Sequence, residues 1–293
     1  MTAFTSRPKT SYLCTETKYM TTRSAIVAIV ILIQTVGISL GQTASELFNR
    51  ATGKYAEGDF EGAIDDLTLC LEQAPNDVSV YFNRGLAYYY YGDYEAAAAD
   101  FEVVVSLNPG DYEAYYYAGS SYSTIGKLND AIDAFTKSIY YNPSYQPAFL
   151  DRGFAKYSVG KYEEAIKDFD QAIFLDQQDA NAFFNRGLTY SALSDFESAY
   201  ADFAKAVHIN KNDMDAWYNM AECAFQFKDY DKVIKALNRL ILELPDDGEL
   251  YFKRGQAFYF TFNDLNACED WTKAVELGNE KAAIEYNENC LGE

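Results

Sequence analysis

From residue 44 to residue 281 the apolar and polar positions repeat with a period of 34, without insertion or deletion. The seven units are 44–77, 78–111, 112–145, 146–179, 180–213, 214–247 and 248–281. With positions counted from 1 inside each unit, small residues recur at position 8 (Ala51, Gly85, Gly119, Gly153, Gly187, Ala221, Gly255). They recur again at position 20, which is Ala in every unit but the sixth, where Val233 stands. Position 24 is large: Leu67, Phe101, Phe135, Phe169, Phe203, Leu237 and Trp271. Two helices approach closely only where neither carries bulk at the crossing, so positions 8 and 20 predict a helix–helix contact within each unit. Position 24 is then the core stripe. Gly58, Gly92, Gly126 and Gly160 at position 15 predict the end of a first helix, and Pro75, Pro109, Pro143 and Pro245 at position 32 stop a second. Each unit reads as a helix hairpin that buries its apolar face only by stacking on its neighbours.

Two charged columns switch together. Position 7 is Arg50, Arg84, Ala118, Arg152, Arg186, Met220 and Arg254, and position 23 is Asp66, Asp100, Ala134, Asp168, Asp202, Ala236 and Asp270. Every unit with Arg has Asp, and both units without Arg have Ala. Pairing across units would set Arg152 and Arg254 against Ala134 and Ala236, so the partners belong to one hairpin. These ten residues are read as structural ion pairs, where loss of one partner strands the other charge.

The pattern resembles the tetratricopeptide repeat family, whose signature has an aromatic at position 4, Gly at 8, Tyr at 11, Ala at 20, Phe at 24 and Pro at 32. The second unit reads YFNRGLAYYYYGDYEAAAADF followed by LNP. The resemblance implies an all-α, right-handed superhelical solenoid, with first helices lining a concave groove, second helices outside, and residues 282–293 as a polar capping helix. The sixth unit, with Ala221, Ala224, Val233 and Leu237, and the fifth, with Lys211 in place of Pro, depart most from the signature. Local unwinding or altered curvature is expected there.

Upstream, AIVAIVILIQTVGISL from Ala25 to Leu40 follows Arg23 and is shorter and more interrupted than a spanning helix. Residues 20–41 therefore read as a signal peptide cleaved before Gln42, with an uncleaved anchor as the alternative. Residues 1–19 read as a disordered leader or an extension ahead of a true start at Met20. The mature chain is then periplasmic or secreted, without a membrane association of its own. An exported chain can hold a disulfide, and Cys268 with Cys290 is the candidate pair. The other repeat cysteines, Cys70 and Cys223, read as small buried thiols.

Formal net charge is −20, although residues 1–41 are net basic (Arg7, Lys9, Lys18 and Arg23 against Glu16). So acidic a body disfavours nucleic acid and anionic lipid, both of which are bound through Lys and Arg. Five Cys without a CxxC pair, and the single His208, provide no zinc set, and no cofactor motif is present. His208 at position 29 has no Ser, Cys or carboxylate of catalytic spacing beside it, so the chain reads as a non-enzyme.

What remains is the groove, expected at positions 2, 5, 6, 9, 12 and 13. Position 5 carries Phe48, Phe82, Tyr116, Leu150, Phe184, Tyr218 and Phe252, and position 12 carries Tyr55, Tyr89, Tyr157, Phe225 and Tyr259. Part of this set packs between first helices. Position 6 is Asn49, Asn83, Asn185 and Asn219 in four units. Asn is a mediocre helix former whose amide both donates and accepts, and the resemblance implies a ladder that clasps the backbone of an extended peptide. Hydrogen bonding along the helix's own surface is the competing explanation. The ladder breaks at Tyr117, where Tyr89, Tyr90, Tyr116 and Tyr117 gather beside Phe82 and Leu86. This cluster is the candidate hot spot, with packing between hairpins as its alternative. The family's carboxylate clamp would need Lys at position 5 and Asn at position 9, which are absent, so a neutral or basic polypeptide fits better than an acidic tail. The expected function is a scaffold or adaptor binding a protein or peptide, in an envelope or secretion assembly. A carbohydrate-binding module using the groove tyrosines is the alternative.

Overall fold

A computed structural model describes residues 42–291, which form fifteen helices and no strand among the described residues. The hairpins are α1 (Ala44–Ala56) with α2 (Phe60–Gln73), α3 (Val78–Tyr91) with α4 (Tyr94–Leu107), and α5 (Tyr112–Thr124) with α6 (Leu128–Tyr141). They continue as α7 (Gln146–Ser158) with α8 (Tyr162–Leu175), α9 (Ala180–Ala192) with α10 (Phe196–Ile209), α11 (Met214–Gln226) with α12 (Tyr230–Glu243), and α13 (Gly248–Phe260) with α14 (Asp264–Glu276). The final helix is α15 (Glu280–Asn289). The expected leader and signal peptide lie outside the described residues.

Aspartates start most of the helices. Asp59, Asp77, Asp93, Asp111, Asp179, Asp195, Asp213, Asp229 and Asp247 each accept a backbone N–H in the first turn of the helix that follows. Nine of the chain's 44 acidic residues therefore serve as helix starts. At the turn inside each hairpin, position 15 adopts a left-handed backbone. Gly58, Gly92, Gly126 and Gly160 supply it in the first four units, and Ser194 (φ 62°), Lys228 (61°) and Phe262 (58°) are forced into it in the last three.

The core refines the reading of position 8. A Cβ placed on Gly85, Gly119, Gly153, Gly187 or Gly255 would come within 2.6–3.0 Å of the position-24 ring of the same unit, namely Phe101, Phe135, Phe169, Phe203 or Trp271. The glycines clear space for these rings, all fully buried. Units one and six have Ala51 and Ala221, and they also have the smaller Leu67 and Leu237. The expected unwinding of the fifth and sixth units does not occur. α9 to α12 keep the lengths of their counterparts, and the apolar residues substituted there belong to one buried cluster with Met220, Leu240 and Leu250.

Each helix packs on the next, and α3, α5, α7 and α9 also touch one another across repeat boundaries. No pair of second helices packs as closely among the described residues. The first helices therefore occupy the tighter, inner side of the stack. At the far end α15 begins at Glu280, two residues before the expected cap, because Asn279 accepts the Ala282 N–H and starts the helix. Cys268 on α14 and Cys290 at the end of α15 are disulfide-bonded, with Cα atoms 5.7 Å apart.

Candidate functional site

The charged columns form five bidentate pairs inside their hairpins. Arg84 donates from Nε and Nη2 to Asp100 at 2.8 Å each, Arg152 to Asp168 at 2.9 and 2.7 Å, and Arg186 to Asp202 at 2.7 Å each. Arg50–Asp66 and Arg254–Asp270 repeat the arrangement. Lys54 and Lys156 add a second cation, at 3.0 Å from Asp66 and 2.9 Å from Asp168. Burial opposes ionisation of Asp66, yet hydrogen bonds from Arg50 and Lys54 hold its carboxyl below the usual range. At Asp100 and Asp202, which have no such lysine, burial outweighs the arginine and pushes the carboxyl up.

The third arginine nitrogen reaches the preceding unit, which the sequence reading missed. Nη1 of Arg84 donates to Thr68, Arg152 to Thr136, Arg186 to Asp170 and Arg254 to Asn238, at 2.5–3.2 Å. All four acceptors stand at position 25. Where the following unit lacks Arg, position 25 is Glu102, which accepts from the Tyr122 hydroxyl, or Ala204. The guanidinium groups also lie over rings of positions 4 and 11, as Arg84 does over Tyr81 and Tyr88 at 5.5 and 5.7 Å. The braces thus join units as well as hairpins.

On the inner helices, the position-5 rings of Phe82, Tyr116 and Phe184 pack on the position-24 rings Phe101, Phe135 and Phe203 at 5.5–5.8 Å. Phe48 and Leu86 are likewise partly buried against the core. Position-12 rings close the hairpin turns on position 17, as in Tyr89–Tyr94 at 5.4 Å and Phe225–Tyr230 at 5.6 Å. Of the position-5 column, Tyr218 is the exposed member, at 36%, with Lys253 over its ring and bonded to Glu222 at 2.6 Å.

Among the ladder residues, Asn83 and Asn219 donate to the carbonyls of Ser79 and Asp215 in their own helices, both at 2.8 Å. Asn49 is exposed and Asn185 half-buried. The tyrosine cluster forms a strip across repeat boundaries. Tyr90 stacks on Phe60 at 5.8 Å and meets Tyr89 at 5.4 Å, Tyr89 meets Tyr117 at 5.7 Å, and Tyr117 meets Tyr116 at 5.3 Å. Tyr116 then meets Tyr145 at 5.2 Å. Tyr117 stacks on Phe101 of the preceding unit, so the residue that breaks the ladder also wedges two hairpins together. Tyr90, half exposed, is the most open ring of the cluster. Burial pushes the phenols of Tyr116 and Tyr117 up, and those of Tyr55 and Tyr145 to about 12. One groove residue escaped the sequence reading although it stands in the ladder column, the half-buried Asp151 at position 6 of unit four.

Family models described as tetratricopeptide repeat match residues 78–111, 112–145 and 191–253, and one described as TPR repeat matches 155–194. The first two ranges are the second and third units. The chain belongs to the tetratricopeptide repeat family. No curated protein gives a significant match to this repeat protein. Among solved structures, one titled as MamA is 28% identical with a TM-score of 0.54, covering 55% of this chain and 94% of that one. YrrB, titled as "a TPR protein with an unusual peptide-binding site", is 19% identical with a TM-score of 0.59, covering 65% and 99%. The C-terminal part of a TPR repeat-containing protein from Cytophaga hutchinsonii is 20% identical with a TM-score of 0.68, covering 81% and 98%. The last two share the fold.

Proposed function

We propose that this repeat protein is an exported, non-catalytic scaffold that holds an extended polypeptide, neutral or basic, in the groove formed by its first helices. The observation that carries this reading is the alignment of Asn49, Asn83, Asn185 and Asn219 at one position of the inner helices, next to a strip of tyrosines that crosses repeat boundaries. The Asn83 and Asn219 side chains donate to their own helices and keep their amide oxygens to accept from a ligand backbone N–H. The peptide-binding site named for YrrB supports the reading at the level of the fold.

Export is supported by the Cys268–Cys290 disulfide, since an oxidising compartment lets such a bond persist. Cys223 is buried and its thiol pushed up to about 11, which makes it a poor nucleophile, and His208 is exposed at the end of α10. The glycan reading has weaker support, because Tyr89 meets both Tyr90 and Tyr117 edge to face, which leaves these three rings no broad open platform.

Replacing Asn49, Asn83, Asn185 and Asn219 together by Ala removes the ladder while leaving helix propensity equal or better. Crosslinking pull-down is expected to show loss of the captured polypeptide with an unchanged circular dichroism spectrum. Equal capture by the quadruple variant would refute the ladder.

A further inference from the structure

Resting on that reading, we infer that the groove between the third and fourth units carries a pocket for one basic side chain, a ligand lysine or arginine, formed by Asp151 with the rings of Tyr116, Tyr145 and Tyr112.

Two columns break at the same place. At the boundaries between units, position 34 is Asp77, Asp111, Asp179, Asp213 and Asp247, each capping the next first helix. The exception is Tyr145, and α7 starts without a side-chain cap bond. Six residues further on, the ladder column, Asn in four units, changes to Asp151. Breaks in otherwise regular columns mark positions whose residues the repeat fold alone does not require.

The chain shows elsewhere how it holds a guanidinium, with a carboxylate on one side and two rings on the other. Arg84 lies between Asp100 and the rings of Tyr81 and Tyr88. Around Asp151 the same parts are present without the cation. The planes of Tyr116 and Tyr145 stand at 87°, with centroids 5.2 Å apart, so the two rings bound a corner, and Tyr112 adds a third ring 5.0 Å from Tyr145. No basic side chain forms an ion pair with Asp151 among the described residues.

The surroundings are negative as well. Burial pushes the Asp151 carboxyl up; the Tyr116 hydroxyl partly offsets this, and Asp179 adds repulsion. Asp179 itself is engaged, accepting from Gln146 at 2.6 Å and capping α9. A half-buried carboxylate without a cation costs the free protein some desolvation, and a cation inserted over the ring faces beside it would lower that cost.

The test is selection of the full chain against a display library of random twelve-residue peptides, with the native protein, Asp151→Asn and Tyr145→Asn in parallel. The native protein is expected to select peptides sharing one Lys or Arg position. Asp151→Asn should bind the same peptides about tenfold more weakly and lose the basic preference. In the absence of peptide its melting temperature should equal or exceed the native value, because a half-buried charge has been removed. Tyr145→Asn, which restores a helix cap while removing the ring that packs on Tyr112 and Tyr116, should lose the preference with the helix signal unchanged. Peptides selected without a basic preference, or with one that both variants retain, overturn the pocket and leave polypeptide binding in place. If the native protein selects no peptide, the polypeptide reading fails and the pocket with it.

Discussion

Replacing Arg84 by Ala is expected to destabilise the array by about 3–5 kcal/mol, because Asp100 is left buried and without a counter-ion. The same change at Arg50 should cost much less. Lys54 remains 3.0 Å from Asp66, and Arg50 is itself more exposed than Arg84. Urea titration of both variants, followed by helix signal, separates them. Equal losses would mean that the lysine does not share the load. The Arg84→Ala loss should also depend on pH. Without the arginine, the folded-state pKa of Asp100 rises further above its unfolded value. The penalty is therefore absent below the unfolded pKa, grows as pH climbs from the unfolded to the folded value, and is complete above the folded one. Because Arg84 also bonds Thr68 of the first unit, its loss should loosen the boundary between units one and two.

A second large effect is expected at the position-24 rings. Phe169 is fully buried, and Phe169→Ala should cost about 3–5 kcal/mol. Gly153→Ala should cost about 1–3 kcal/mol, since its Cβ would lie 2.7 Å from the Phe169 ring with no room to retreat. The double variant Gly153→Ala/Phe169→Leu recreates the combination found in units one and six. Its cost should fall clearly below the sum of its two single changes measured in the same titration. Additive losses would show that the glycine has a role other than making room for the ring.

The fold was legible because one helix hairpin is written seven times, so each structural role becomes a column. Columns that switch together even assigned the Arg–Asp partners before any coordinates. The second partner of each arginine stayed hidden because position 25 mixes Thr, Asp, Asn, Glu and Ala, any of the first four able to accept a hydrogen bond, so no single residue type marks it. The left-handed turn at position 15 was legible from its glycines but not at Ser194, Lys228 and Phe262, where the stacked hairpins impose a conformation those side chains disfavour.

The groove was the harder part. Aromatic residues at positions 5, 12 and 13 announce a surface and a core in the same letters, and only packing shows that Phe82 and Phe184 lean inward while Tyr90 and Tyr218 stay open. Asp151 was passed over because a single carboxylate in an acidic chain draws no notice. Its missing cation becomes visible only beside the five buried column aspartates, each of which has an arginine.

The measurement that bears most directly on polypeptide binding in the inner groove is site-specific photocrosslinking. A benzophenone amino acid is placed at Tyr90 or Tyr218 in the groove, or at Phe174, which is 74% exposed on a second helix. Each replaces an exposed ring by another ring, so the fold is little disturbed. The account predicts that Tyr90 and Tyr218 crosslink to one short continuous segment of a polypeptide partner and that Phe174 does not. Crosslinks from Phe174 to that partner, with none from Tyr90 or Tyr218, would contradict it.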